Sequence, residues 1–150
     1  MKFIFQTMPA YGHLNPMLGV AKELTNQGHH VLIYNTKEFK SKIENVGAEY
    51  KEVPLNDATL NVDNLRILHN ALTIADFSLR ATKLLVDPLI SEIEKEKPDC
   101  LIHDSLSLWG KIAGIKTQVP TVSLVPSMAI NSRLVLGQTP LLLDDYVQAF

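Results

Sequence analysis

Apolar residues in this chain fall into short continuous runs separated by stretches of helical period, and the alternation of the two patterns predicts its elements. Phe3-Ile4-Phe5 has the continuous apolarity of a buried parallel strand. Behind it Met17, Leu18, Val20, Ala21 and Leu24 recur at helical spacing. Asn15 is suited to cap that helix and Pro16 to fill its first position, where a missing N–H costs nothing. Gly28 then closes it from the left-handed position. Val31-Leu32-Ile33-Tyr34 predicts a second strand, residues 37–46 a short helix capped by Thr36 and ended by Gly47, and the alternation over residues 48–53 a more exposed third strand nearer an edge.

Residues 54–64, rich in Asn and Asp, read as loop. Over residues 65–97, Leu68, Leu72, Leu79, Leu85, Leu89 and Ile93 keep helical spacing, with Pro88 starting or kinking the second part and Glu92 to Lys97 forming a solvated helix end. A fourth strand over residues 100–103 is followed by a helix over about residues 106–118, in which Gly114 predicts close packing on the sheet or an early end. A fifth strand covers residues 121–125 and is broken by Pro126-Ser127-Met128; beyond it the chain reads as irregular, with a short helix from Leu143. This order predicts the α/β class: one Rossmann-like domain over residues 1–150, a parallel sheet with helices on both faces.

Composition narrows the function classes. Hydrophobic residues make up 46% of the 150 and charged ones 20%, which is globular and not disordered. A net charge of −2 offers nucleic acid or an anionic membrane no electrostatic reason to bind. No apolar run approaches the ~20 residues of a membrane span, and the run at the amino terminus is too short for a signal-peptide core. Cys100 is a lone cysteine in an apolar strand, read as a small buried thiol.

The stretch from Thr7 to Leu18 carries the candidate chemistry. His13 is expected in a short strand-to-helix loop at the carboxyl edge of the sheet, the edge at which open α/β folds place ligands. Asp104 ends the fourth strand. If strands one and four are neighbours, the two side chains share that edge, and the carboxylate would fix the imidazole tautomer, orient the ring and stabilise the imidazolium that forms. Competing chemistries find no support. Gly12 stands alone where a dinucleotide loop needs three glycines, and a Walker lysine loop is absent. Gln6-Thr7 supplies no acidic pair of the response-regulator kind. The five histidines and one cysteine show no metal-ligand spacing. Ser105 lacks a nucleophile elbow and reads as a helix-start residue. His29, His30 and His69 read as structural or surface residues, and His103 should point to the side of its strand opposite Asp104.

Three segments in order, Gly12-His13-Leu14-Asn15-Pro16-Met17-Leu18, Lys97-Pro98-Asp99-Cys100-Leu101-Ile102-His103-Asp104 and Val119-Pro120-Thr121-Val122-Ser123-Leu124, span nearly the whole chain. They resemble the GT-B glycosyltransferases of the macrolide and UDP-glucosyl and glucuronosyl transferase family, above all its microbial macrolide branch. The resemblance implies the amino-terminal half of a GT-B enzyme, with His13 as general base and Asp104 as its partner. It implies inverting transfer of a sugar from a UDP-type donor, a UDP-sugar serving as co-substrate, with no metal and no further cofactor. Animal glucuronosyl members are membrane-anchored, so a chain without such a segment is expected to be cytoplasmic and bacterial. The family's carboxy-terminal phosphate loop has no counterpart here, so the donor-binding domain is expected as a missing intramolecular partner and the chain alone is expected to transfer no sugar. Met8, Pro9, Ala10, Tyr11, Ser127 and Met128, on loops at the same edge, are the nominated acceptor-binding residues, suited to a hydrophobic hydroxylated acceptor such as a macrolide or polyphenol. Tyr11 is equally a helix-packing residue and Met128 equally core filler. The alternative is a non-catalytic Rossmann-like binding or interaction module.

Overall fold

The computed structural model describes residues 1–53 and 71–126. Its elements run β1 (Lys2–Gln6), α1 (Tyr11–Asn26), β2 (His30–Asn35), a 3-10 turn (Lys37–Phe39) leading into α2 (Lys40–Glu44), β3 (Glu49–Glu52), α3 (Ala71–Glu96), β4 (Cys100–Asp104), α4 (Leu108–Thr117) and β5 (Thr121–Leu124). The strands form a five-stranded sheet in the order β3-β2-β1-β4-β5, every pair parallel. β1 is central, with Gln6 beside Tyr34 of β2 and His103 of β4. β3 is an edge strand, as its alternation predicts.

Side-chain alternation along the strands builds two core layers. Phe3, Phe5, Val31, Ile33 and Ile102 face α1 and α2, meeting Leu14, Met17, Ala21, Phe39 and Ile43. Ile4, Leu32, Tyr34 and Leu101 face α3 and α4, meeting Phe77, Leu85, Leu89, Ile93, Trp109 and Ala113. Each fully buried large side chain in these layers contributes about 1.5–3 kcal/mol, which is why strands so continuous in apolarity are covered on both sides.

Local chemistry explains most element ends. Gly28, with φ +79°, makes the left-handed closure expected of it, and Gly47, which ends the short helix as expected, has φ +80°. α3 runs unbroken through Pro88 and stops where Lys97, with φ +46°, precedes Pro98. Gly114 approaches Thr121 of β5 so closely that a Cβ there would collide with its hydroxyl, which settles its role as close packing.

Three expectations need correction. α1 begins at Tyr11, with Ala10 as an extended N-cap, so Asn15 and Pro16 lie inside the helix. The buried stripe Leu14, Met17, Ala21 continues the helical period upstream, and its packing outweighs the one bond lost because Pro16 has no N–H for the Gly12 carbonyl. Thr36 makes no side-chain cap bond, and the segment it precedes starts as a 3-10 turn. α4 begins at Leu108, two residues later than expected, because Asp104 holds the intervening turn.

Candidate active site

Residues 7–10 leave β1 and turn directly into α1: Ala10 N–H donates to the Met8 carbonyl at 2.8 Å, and His13 and Leu14 N–H both donate to the Ala10 carbonyl, at 3.0 and 2.9 Å. His13 therefore lies in the first turn of a helix and not in a loop, with Leu14 fully buried beside it as an anchor. A rigid turn seated on the core holds the ring more firmly than a loop would.

Asp104 arrives from the neighbouring strand. Leu101 faces the α3 and α4 layer and Ile102 the α1 and α2 layer. By alternation His103 faces α3 and α4, and Asp104 faces α1. His13 Nδ1–H donates to Asp104 Oδ2 at 2.6 Å. The His13 side chain is 20% exposed and that of Asp104 is 0% exposed. Asp104 Oδ1 accepts the Leu106 N–H at 2.8 Å, so each oxygen of this buried carboxylate has a donor. An ionised carboxylate can only accept, which places the ring proton on Nδ1 and leaves the lone pair on Nε2. With Nδ1 turned to the interior, the exposed part of the ring is its Nε2 side. The arrangement can take a proton from a group arriving at the carboxyl edge and balance the resulting charge.

The remaining nominated residues are distributed unevenly. Met8, 2% exposed, lies in the core layer beneath α3 and α4, and Pro9 is buried; neither lines an open surface. Ala10 is half-buried. Tyr11 is 54% exposed, with its ring edge-on to Phe39 at 4.9 Å and the Lys42 ammonium 4.8 Å from its centroid. It packs α1 against the α2 segment while keeping an open face. Ser127 and Met128 lie outside the described residues, as do His69 and the predicted loop over 54–64. His29 stacks at a tilt on Phe3, and His30 is an exposed partner of Glu49. His103 is buried and turned from His13. Burial pushes the half-buried Cys100 thiol above its ordinary range.

Two features escaped the sequence reading. Trp109 Nε1–H donates to Gln6 Oε1 at 3.1 Å, tying α4 to the end of β1. On the face of the sheet opposite His13, a cleft of about 390 Å³ is lined by Gln6, Tyr34 and Val53 with Leu85, Leu89 and Glu92 of α3. Tyr34 Oη–H donates to Glu92 Oε2 at 3.0 Å there. No short motif marks either feature; both depend on residues far apart in sequence. Among the described residues no group of three or more His, Cys, Asp or Glu could hold a metal ion, and no helix is long and apolar enough to cross a membrane.

With this geometry in place, comparison with known proteins identifies the surrounding fold. Residues 5–91 match the glycosyltransferase family 28 N-terminal domain. The chain is 33% identical over 137 residues to the NDP-glycosyltransferase YjiC of Bacillus subtilis, a match covering 90% of this chain and 34% of that protein. It is 28% identical over 141 residues to the demethyllactenocin mycarosyltransferase of Streptomyces fradiae, covering 88% and 31%. Among solved structures, the calicheamicin glycosyltransferase CalG4 superposes with a TM-score of 0.74 at 21% identity, covering 96% of this chain and 37% of that one. The chain thus spans about a third of the length of the relatives it matches.

Proposed function

This chain belongs to the family of glycosyltransferase family 28 N-terminal domains, and on that premise we propose that residues 1–150 form the acceptor-binding, base-supplying domain of an inverting glycosyltransferase. The observation that carries the proposal is the 2.6 Å hydrogen bond from His13 Nδ1 to the buried Asp104 carboxylate. His13 Nε2 takes the proton of an acceptor hydroxyl as that oxygen attacks the anomeric carbon of a nucleotide-activated sugar, of UDP type. The bond from that carbon to the diphosphate breaks, the diphosphate leaves with the electron pair from the opposite face, and the configuration inverts. Asp104 holds the tautomer and balances the charge of the imidazolium; a positioned base of this kind contributes about 10²- to 10⁴-fold. The reading assigns no metal and no further cofactor, the nucleotide sugar being a co-substrate bound by a carboxy-terminal domain.

A hydrophobic hydroxylated acceptor of the macrolide or polyphenol kind could rest on the exposed Tyr11 ring at the α1 entry, and the similarity to a demethyllactenocin mycarosyltransferase supports it. A cytoplasmic setting belongs to the same proposal. The test is His13→Ala in this chain joined to a matching donor-binding domain. A fall in kcat of about 10²-fold or more is expected; a rate within a few-fold of the parent would remove the base and leave a binding module.

A further inference from the structure

We infer that His103, on the face of the sheet opposite His13, is a positioning residue that sets the orientation of the Asp104 carboxylate through the Asp104 backbone. The inference rests on the reading of His13 as base. His103 is 4% exposed, and its Nδ1–H donates to the carbonyl of the next residue, Asp104, at 2.8 Å. The same carbonyl accepts the Ser107 N–H at 2.9 Å. Asp104 is therefore held at every oxygen: two donors on the carbonyl, Leu106 N–H on Oδ1, and His13 Nδ1–H on Oδ2.

These bonds are mechanically linked. The carbonyl direction sets the plane of the peptide between Asp104 and Ser105, and that peptide starts the turn which brings Leu106 N–H back to Oδ1. With Oδ1 tied, the rotation of the carboxylate is fixed and Oδ2 is left facing His13. The His103 side chain is hemmed in at its root. Its Cβ lies 2.7 Å from where a Cβ on Gly110 would be, and Gln6 crowds the same point at 3.1 Å, so α4 and β1 box it in.

The experiment substitutes His103 by Leu, Asn and Gln. Asn is the informative replacement, because its Nδ2 occupies the place of the imidazole Nδ1, whereas the amide nitrogen of Gln lies one bond further out. The His13 ring is read by ¹⁵N NMR in the labelled chain, and initial rates are measured in the chain joined to a donor-binding domain. The unsubstituted chain is expected to show a single Nδ1–H tautomer of His13 with a slowly exchanging Nδ1 proton. In His103→Leu and His103→Gln that proton exchanges rapidly, the tautomers mix, and kcat falls by about 10- to 100-fold with KM for the donor unchanged. His103→Asn restores both signals. If the leucine variant fails to fold, the contrast between Asn and Gln carries the test. The inference is overturned if the His13 signals and kcat are indifferent to these changes, or if Asn rescues no better than Gln. Retention of the rate in His13→Ala, with the His13 ring signals still sensitive to residue 103 before that change, would instead leave the positioning intact and remove the base assignment.

Discussion

Replacing Asp104 by Asn separates orientation of the proposed base, His13, from stability of the fold. Asn is isosteric with Asp, and its amide can sit two ways in the site. The Leu106 N–H, 2.8 Å from Oδ1, requires an oxygen at that position, so the amide nitrogen must take the place of Oδ2, facing His13 Nδ1 at 2.6 Å. Two donors cannot face each other at that distance. The imidazole resolves the conflict by moving its proton to Nε2 and accepting at Nδ1. Both hydrogen bonds survive, so stability should change by no more than about 1 kcal/mol. The lone pair that would receive the acceptor's proton is lost, and a wrong tautomer of this kind lowers kcat by about 10⁴-fold in the serine protease triad. Asp104→Ala behaves differently: it strips the part-buried Leu106 N–H of its partner and leaves a hole in place of a fully buried carboxylate, at a cost of about 1–3 kcal/mol. Steady-state rates in the chain joined to a donor-binding domain, urea unfolding and the ¹⁵N shifts of His13 read the three consequences separately. An Asn variant that keeps its rate within about 10-fold of the parent, or a His13 that keeps its proton on Nδ1, would refute the reasoning.

Three further outcomes are expected. Gly110→Ala places a methyl 2.7 Å from the His103 Cβ and should cost about 1–3 kcal/mol of overpacking in urea unfolding; unchanged stability would mean that α4 slides freely. Burial first, and then the bond to Glu92, pushes the Tyr34 phenol well above its ordinary range. The folded chain thus holds that proton more tightly than the unfolded one, and the resulting stability is full below a pH of about 10 and lost as pH rises through the folded value. Urea midpoints should decline with alkaline pH less steeply in Tyr34→Phe than in the parent; equal slopes would refute the assignment. The 150-residue chain alone should release no UDP from UDP-glucose with any acceptor, and a product by chromatography would overturn the need for a second domain.

The fold was legible because its signals are dense. Continuous apolar strands, left-handed glycines at 28 and 47 and helical periods between them each recur, so an error of two residues at one boundary leaves the topology unchanged. The start of α1 was misread for a definable reason: Asn15-Pro16 is a good local beginning, whereas the real one at Ala10 has no capping side chain. Only the burial of Leu14, a tertiary fact, extends the helix upstream. Met8 shows the converse limit. Its place next to Pro9 on a loop suggested an open wall, but residues leaving a central strand are still under α3 and α4, and it fills core there. The Gln6 to Trp109 bond joins residues 103 apart in sequence and had no local signal at all.

The candidate pair, by contrast, follows from two simple counts, and each makes it vulnerable. Parity along β4 sends Leu101 and His103 to one face and Ile102 and Asp104 to the other. A one-residue insertion in that strand would exchange His103 and Asp104, presenting an imidazole to His13 and a carboxylate to Gln6. Strand order supplies the second count: β4 is reached from β3 across the whole of α3, yet it pairs with β1. Residues 13 and 104 therefore meet only because the crossover returns the chain to the centre of the sheet. Neither residue type is special by itself, and of the three other histidines among the described residues, His29, His30 and His103, none pairs with a buried carboxylate. What distinguishes His13 is that a helix turn on one strand and an alternation step on its neighbour converge on the same 2.6 Å contact, with the open side of the ring left at the edge where α/β sheets take their ligands.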